Sequence, residues 1–502
     1  MMAGSGTAAR LRERVRKHAD LLLKHASDPE GESPLFVNAL DGRSLQSVSY
    51  DPDHVNRKAL LSSPASQSHW FKLLDGLSDV TGLPRYAERT REVYRYLLGG
   101  QTDEQGLLYW GGHTANNLET GTLEFAGDKS KVHELKMHYP DYGLMWKADP
   151  AGTKRYIEAI WNAHILDWGT LDFNRHGPYG TERGRIWENE YQGGDVFFWG
   201  KGLTFVNAGS DLYYAAAMLS KLSGEQAPLD WAKRLASRYV ETRQEGVGIS
   251  GYQFSQSAGS WCDGPAVRGD RAQYQIAPLV PEGHLVYEGT LFKPRPAVQR
   301  CQLAVGGMLG EEGEGFIRWA CEEMTAWGRT AFREKDCSYV PMLTDGFSLE
   351  GLVLDRKGYF GPAGTVFRAM PLSGDDFWMY AYGYRLSKDP FLWEMARSIA
   401  KGIGLGELGS PQGEGRSLRD SGSASDYRVL YALLDLYRAT EDRRFLETAA
   451  GLGEGMAEAC LGPSGAIQAG ETILTDHPLP LALLHLADAW EGRASTLRPA
   501  WK

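Results

Sequence analysis

The sequence predicts an all-α fold in which helical hairpins close into a ring, an α/α barrel or toroid with long loops at one end. Three observations predict it: a weak repeat of helix–turn–helix units, irregular spacing between those units, and long glycine- and aromatic-rich segments separating them. Five stretches carry the repeat, beginning at Leu77, Leu144, Met218, Tyr384 and Leu436.

Each repeat has the same internal pattern. One helix ends, a short polar turn with Gly, Asp or Pro follows, and a second helix begins with aromatic or aliphatic residues at i, i+3, i+4 and i+7. A single hairpin cannot bury its apolar face, so neighbouring hairpins must pack together. Because the spacing between hairpins is irregular, a closed ring is favoured over an open array of equal repeats.

Four long segments separate the hairpins, at 101–127, 173–206, 246–296 and 335–373. Long loops in a compact domain are usually functional, and we expect these to wall one end of the ring. Short β-prone pieces within them are interpreted as small hairpins: Leu107 to Trp110, Ile249 to Phe254 and Gly364 to Arg368. No segment indicates a domain boundary, so residues 1–502 are predicted to form one catalytic domain.

Composition excludes several classes of protein. A net charge of −10 argues against nucleic acid as a partner, and no apolar run reaches the ~18 residues needed to span a membrane. Five cysteines without a CxxC pair predict neither a disulfide framework nor a zinc knot, which fits a reducing compartment. The charged N-terminal stretch has no signal-like apolar core, so a cytoplasmic location is expected unless a signal was removed beforehand.

Three short segments concentrate reactive side chains. YWGGHTANN contains His113, KVHELKMHYP contains Glu134 between two histidines, and LDFNRHGPYG contains the adjacent pair Arg175 and His176. Imidazole and carboxylate groups together suit a first-row divalent metal ion. HELKMH is not a zinc-protease motif, because HExxH would need histidine where Met137 stands. The plainer alternatives are a loop histidine bonded to backbone and a solvated helix carboxylate.

The order of these segments resembles that of the family 2 polysaccharide lyases, which are pectate lyases. The likeness rests on WGGH, on the glutamate of HELK and on the Arg-His pair of DFNRH, and it is most specific from about Tyr109 to Gly180. The resemblance implies an (α/α)7 barrel and an acidic polysaccharide or oligogalacturonide as substrate. That family has secreted endo-acting and intracellular exo-acting members, and the lack of a signal-like segment makes this chain resemble the intracellular type.

The resemblance further implies the roles of four residues. His113, Glu134 and His176 would hold a divalent transition metal, manganese first, with cobalt or nickel accepted. Arg175 would be the base that removes the C5 proton, although arginine ordinarily stays protonated. The plainer role for Arg175 is to bind a substrate carboxylate.

Cationic and aromatic loop residues are candidates for substrate binding on chemical grounds alone. Sugar faces stack on aromatic rings, and guanidinium or ammonium groups pair with uronate carboxylates. The candidates are Trp110, Tyr179, Arg183, Arg271 and Lys293.

Two other classes of function stay open from the residues alone. A glycoside hydrolase on a similar barrel would need two carboxylates facing the scissile bond, and a sugar epimerase would use paired histidines. A non-catalytic oligouronide-binding protein would bind without turnover. Only elimination produces a conjugated uronide that absorbs ultraviolet light. Ultraviolet absorbance of the product therefore distinguishes a lyase from a hydrolase, an epimerase or a binding protein.

Overall fold

The computed structural model describes residues 2–127, 129–257, 295–353, 362–419, 426–492 and 495–502. Within these ranges the chain forms fourteen α-helices. They are α1 (Met2–His25), α2 (Ser68–Thr81), α3 (Arg85–Gly100), α4 (Tyr142–Ala148), α5 (Pro150–His164), α6 (Val206–Ser223), α7 (Gln226–Glu241), α8 (Pro296–Leu309), α9 (Glu314–Thr330), α10 (Gly374–Ser387), α11 (Pro390–Gly402), α12 (Arg428–Thr440), α13 (Arg443–Ala459) and α14 (Pro478–Trp490). None of these helices is long and apolar enough to cross a membrane.

Short turns join the helices in hairpins, and local chemistry explains where each helix stops and restarts. Gly82 and Gly224 end α2 and α6 in the left-handed conformation that glycine adopts without strain. Asp149, Asp389 and Asp442 cap α5, α11 and α13 by accepting a hydrogen bond from a backbone N–H of the first turn. All five hairpins predicted from the sequence are confirmed.

The hairpins pack as two concentric layers. Helices α4, α6, α8, α10, α12 and α14 contact one another in order, α14 contacts α2, and an ion pair between Asp75 of α2 and Lys147 of α4 closes the inner ring. Helix α1 packs on α14, which joins the two ends of the chain in a seventh pair. The inner helices α6, α10 and α14 are buried nearly all round, whereas the outer α7 and α11 bury one stripe. The predicted α/α barrel is confirmed, with seven helix pairs.

The long connections between helices all leave the ring at one end. Each short turn reverses the chain, so every connection from an outer helix to the next inner helix emerges opposite the short turns. These connections are 26–67, 101–141, 165–205, 242–295, 331–373, 403–427 and 460–477. They carry sixteen short strands among the described residues.

Four of those strands build the part of the loops that concerns function. Strands β3 (Thr114–Asn117) and β4 (Thr122–Phe125) form a hairpin, and β5 (Val132–Glu134) pairs antiparallel with β8 (His176–Pro178). Of the predicted hairpin positions, 249–254 was wrong and forms no strand, whereas 107–110 and 364–368 each contain one isolated antiparallel bridge, Thr102 with Leu108 and Val353 with Val366. The β-prone residues of a loop segment did not indicate whether that segment would pair with another strand.

The C-terminal residues occupy the inside of the ring. Trp501 is buried against Tyr139 and Tyr214, with ring centroids 5.0 and 5.1 Å away, and the Lys72 ammonium lies 5.5 Å from its ring. Arg300 on α8 donates a 2.7 Å hydrogen bond to the Trp501 carbonyl. Because these partners belong to different sides of the inner ring, the segment fills the centre beneath the long loops.

Buried histidines make the fold acid-sensitive. Burial lowers the pKa of His18, His138 and His485 to about 3 and that of His164 and His477 to about 4. In the unfolded chain each would take up a proton near its ordinary pKa of about 6.5. The unfolded state therefore binds more protons between about pH 6.5 and 4, and stability is lost as the pH falls through that window. Urea unfolding at about pH 7 and pH 5 should differ by several kcal/mol, on the order of 1.4 kcal/mol per group and pH unit at most.

A single substitution checks the cause of this loss. His485→Gln removes one buried imidazole and should flatten the dependence of the unfolding free energy on pH. His54→Gln, at an exposed position, should leave the dependence unchanged. A stability that stays constant from pH 7 to pH 5 would contradict the assignment of these histidines as neutral.

Candidate active site

The three segments singled out in the sequence meet at the loop end of the ring. The β5–β8 pairing places Glu134 opposite His176, and an isolated parallel bridge joins Gly111 to Glu134. The Leu135 N–H donates a 2.9 Å hydrogen bond to the Arg175 carbonyl. Residues from connections 101–141 and 165–205 are therefore fixed to one another by backbone hydrogen bonds.

The Glu134 carboxylate is the centre of this group. Its side chain is 1% exposed, and the Arg175 guanidinium contacts Oε1 directly. His176 Nε2 lies 3.3 Å from Oε1, and His113 Nε2 lies 3.5 Å from Oε2. Burial raises the pKa of Glu134, but the His176 contact and the Arg175 charge outweigh it, so the net pKa is well below its usual value. Glu134 is therefore a carboxylate at neutral pH.

The orientation of His113 is fixed by a third loop. Its Nδ1 lies 3.0 Å from the Asp53 carbonyl, which can only accept, so Nδ1 carries the proton and Nε2 keeps its lone pair. His113 also has a positive φ of 69°, a strained conformation for a residue with a side chain and one typical of functional sites. Connection 26–67 thus aims the imidazole at Glu134.

The chemistry of these donors fits a transition metal ion. Glu134 Oε2 is buried and receives no hydrogen bond from the described residues, and a buried polar atom left this way usually serves a ligand or ion. Two imidazole nitrogens and one carboxylate are ligands that suit Mn²⁺, Co²⁺ or Ni²⁺. Backbone support of His113 through its other nitrogen is the arrangement commonly found for metal-ligating histidines.

Two cations neutralise the carboxylate in this structure. Arg175 contacts Oε1, and the Lys136 ammonium lies 3.3 Å from His113 Nε2. In this arrangement of side chains, the described ranges contain no group of three His, Cys, Asp or Glu residues at the spacing of a metal site. An ion held by His113, Glu134 and His176 would therefore compete with Arg175 for the carboxylate.

Gly112 is required for the close approach of two segments. A Cβ at this position would lie 2.5 Å from Glu134 Oε2 and 2.6 Å from Lys136 Cδ. Gly112→Ala should displace the carboxylate and lower kcat by about 100-fold, since a misplacement of about 1 Å has this effect. Gly99→Ala in α3, where nothing lies within 4 Å of the added Cβ, is the matched control. Equal activity of the two variants would show that the Glu134 position is not critical.

The remaining predicted site residues lie in different surroundings. Trp110 is 5% exposed and packs on Tyr156, so it presents no ring face to a sugar, and a stacking role is no longer expected. Tyr179 is half-buried and stacks on Tyr109 with centroids 4.7 Å apart. Arg183 forms an ion pair with Glu158 of α5. Arg271 and Lys293 lie outside the described residues.

Three residues at the site were not predicted. Lys136 belongs to the quoted HELK segment but was not assigned a role. Asn174 precedes the Arg-His pair, and its Oδ1 accepts a 3.0 Å hydrogen bond from the His176 N–H. Asp53 acts through a backbone carbonyl, which no sequence pattern indicates. For Lys136 and Asn174, direct adjacency to the motif was the available signal.

Comparison with solved structures finds similar folds at low identity. A crystal structure of a sugar epimerase from a ruminal bacterium matches with a TM-score of 0.49 and 11% identity, covering 97% of this chain and 100% of that one. An unsaturated glucuronyl hydrolase specific for heparin matches with a TM-score of 0.41 and 11% identity, covering 96% and 97%. These likenesses do not bear on the reaction.

Sequence comparison is specific. A family model described as periplasmic pectate lyase matches residues 33–501. A pectate disaccharide-lyase of Dickeya dadantii (strain 3937) is 31% identical over 408 residues, which cover 75% of this chain and 72% of the relative.

The family description corrects the expected location. A cytoplasmic protein was expected from the sequence, but the matching family is described as periplasmic, so that expectation was wrong. Residues 2–25, from which it was drawn, form helix α1 of the barrel and carry no information on location.

The match also decides between the functions left open by the residues, because residues 33–501 include all four residues of the candidate site and every helix of the barrel except α1. The match excludes the glycoside hydrolase, the sugar epimerase and the non-catalytic binding protein as the function of this chain. The chain belongs to the periplasmic pectate lyase family and is a pectate-degrading polysaccharide lyase.

Proposed function

We propose that this lyase cleaves α-1,4-linked polygalacturonate by metal-assisted β-elimination and releases unsaturated disaccharides from a chain end. The observation that carries the proposal is the convergence of two imidazoles and one guanidinium on the buried carboxylate of Glu134. His113, Glu134 and His176 would hold the ion, manganese first, with cobalt or nickel as alternatives.

β-Elimination must break the C4–O glycosidic bond, whose leaving oxygen takes up a proton as the C4=C5 double bond forms, and must remove a weakly acidic proton from C5, beside the C6 carboxylate. As the proton leaves, a second negative charge develops on that carboxylate. A bound divalent cation would neutralise this charge. The partial exposure of His113, Arg175 and His176, at 26%, 21% and 31% of their side chains, leaves room for a substrate carboxylate on the outer side of the group.

Arg175 is proposed as the group that takes the C5 proton. Held against Glu134, its guanidinium is stabilised in the charged form, which cannot accept a proton. A cation held by Glu134 would remove that stabilisation, and its positive charge would disfavour protonated Arg175. Lys136, whose ammonium lies 3.3 Å from His113 Nε2, would give up that nitrogen to the ion but would still keep the site positive for an anionic sugar.

Release of disaccharides is supported by the name of the relative from Dickeya dadantii, a pectate disaccharide-lyase. Products from polygalacturonate should be separated by size in the first minutes of the reaction and detected by ultraviolet absorbance. Unsaturated dimers as the first and dominant product, with slow loss of viscosity, are expected. A ladder of longer oligomers with rapid loss of viscosity would contradict exo action while leaving the elimination chemistry intact.

A further inference from the structure

A buried chain of hydrogen bonds runs beneath the active site. Trp110 Nε1 donates to the Tyr156 hydroxyl, which lies 3.4 Å from His133 Nε2. His133 Nδ1 lies 2.9 Å from His164 Nε2, and His164 Nδ1 lies 2.7 Å from the Asn174 carbonyl. The first four side chains are 5% exposed or less. Among the described residues, no hydrogen bond or ion pair joins any of these four side chains to the Glu134 carboxylate.

The two end groups of this hydrogen-bond chain fix the direction in which its protons are donated. The Trp110 indole can only donate a hydrogen bond, and the Asn174 carbonyl can only accept one. Burial lowers the pKa of His164 to about 4, so its imidazole carries one proton, on Nδ1, and accepts at Nε2. It follows that His133 donates from Nδ1 and accepts at Nε2 from the Tyr156 hydroxyl. Every donor and acceptor in the chain is then used once.

The hydrogen-bond chain connects the three segments that carry the proposed metal ligands. Trp110 precedes the Gly-Gly-His113 turn, and His133 is the neighbour of Glu134 in β5. Because side chains alternate along a strand, His133 points into the core while Glu134 faces the site. Asn174 precedes the Arg-His pair: its carbonyl is held by His164 and its side chain by the His176 N–H.

The packing around the chain leaves little freedom. Gly177 lies opposite His133 in the β5–β8 pair, and a Cβ there would come within 2.7 Å of the His164 ring. Asn174 N–H also donates a 3.0 Å hydrogen bond to the His164 carbonyl, so the two residues are joined in both directions. A shift of any one segment would break a buried hydrogen bond, whose loss is costly.

We propose that Tyr156, His133 and His164 are positioning residues: through this hydrogen-bond chain they set the spacing of the three segments that hold His113, Glu134 and His176. The inference rests on the proposed function, because it concerns the geometry in which those ligands would bind a cation. Groups that orient metal ligands in this way typically change metal affinity or activity by about 10- to 100-fold when they are removed.

Tyr156→Phe tests the chain with the smallest change of shape, because it deletes one hydroxyl and leaves the Trp110 indole and His133 Nε2 without their partner. Tyr239→Phe is the matched control: Tyr239 of α7 is also buried, and its hydroxyl donates to the Thr204 carbonyl at 2.9 Å, just before α6. Binding of Mn²⁺ alone is measured by calorimetry, and kcat and KM are measured on polygalacturonate. Urea unfolding reports the stability of both variants.

We expect similar losses of stability in the two variants, but Mn²⁺ affinity and kcat lowered about 10-fold or more only in Tyr156→Phe, with KM changed less. Wild-type binding and kcat retained within about twofold in Tyr156→Phe would overturn the inference and leave the proposed function standing. A wild-type protein that neither binds Mn²⁺ nor forms unsaturated product would overturn the proposed function itself. Selective ¹⁵N labelling of histidine adds an independent readout: His164 protonated on Nε2 rather than Nδ1 would contradict the direction of the chain.

Discussion

Glu134→Gln should lower kcat by about 100- to 1,000-fold, because it removes the carboxylate that would hold the ion opposite the negative charge developing on the substrate. The amide keeps the shape of the side chain but not the negative charge that balances Arg175 and, in the proposed mechanism, the metal ion. It also removes the counter-charge of the partly exposed Arg175 guanidinium, so a loss of stability is expected that is smaller than the about 3–5 kcal/mol of a fully buried pair. Calorimetry with Mn²⁺ should detect no binding, or binding weaker by orders of magnitude.

The chain supplies a matched control for this substitution. Glu158 is also buried and also forms an ion pair with an arginine, Arg183, in α5 and the adjoining loop. Glu158→Gln should therefore lose comparable stability while it keeps Mn²⁺ binding and kcat. If both variants lost activity in proportion to stability, Glu134 would be a structural residue and the proposed ligand set would be wrong.

Arg175→Ala should have two effects of opposite sign. The rate constant kcat should fall about 100- to 10,000-fold, the range for loss of a general base. Affinity for Mn²⁺ should rise, because the substitution removes a cation that contacts Glu134 Oε1. Both quantities are measured on the same preparation, with Arg318→Ala, an exposed arginine of α9, as the control that changes neither.

The division between kcat and KM decides the role of Arg175. A base acts on the chemical step, so kcat falls while KM changes little. A guanidinium that only binds a substrate carboxylate contributes to both ground and transition states, so its loss would raise KM with kcat preserved. The second result would contradict Arg175 as the base and would favour the plainer role weighed from the sequence.

Local sequence chemistry was enough to predict most of the fold. The five predicted hairpins have short turns with glycine after the first helix or aspartate before the second, and these signals act within a few residues. The pair of α1 and α14 was not predicted, because its helices lie more than 450 residues apart and no local signal links them. The hairpin of α8 and α9 was not predicted either, since its glycine-rich turn contains a 3₁₀ segment, Gly310–Gly313.

The site was predictable where chemistry depends on residue type and was not where it depends on geometry. His113, Glu134, Arg175 and His176 were chosen from motif order, and the structure brings all four together. Whether they bind metal stays a prediction. Trp110 was misjudged because nothing in its segment indicates that the indole turns towards α5 and the core.

Residues that act through backbone atoms or through buried contacts are the least visible in a sequence. Asp53 orients His113 with a carbonyl, a group that every residue possesses. The partners of His164, which are His133 and the Asn174 carbonyl, are fixed only once β5 and β8 pair. Strand pairing between two connections is a non-local event that residue spacing does not encode.

Metal-assisted elimination at this site is tested most directly by the ultraviolet absorbance formed from polygalacturonate by enzyme stripped with EDTA and then titrated with Mn²⁺, beside His176→Ala treated in the same way. We expect no absorbance without metal, full recovery at about one ion per chain for the single proposed site, and no recovery in the variant. Undiminished absorbance in the stripped enzyme, or recovery in His176→Ala equal to that of the wild type, would contradict this mechanism.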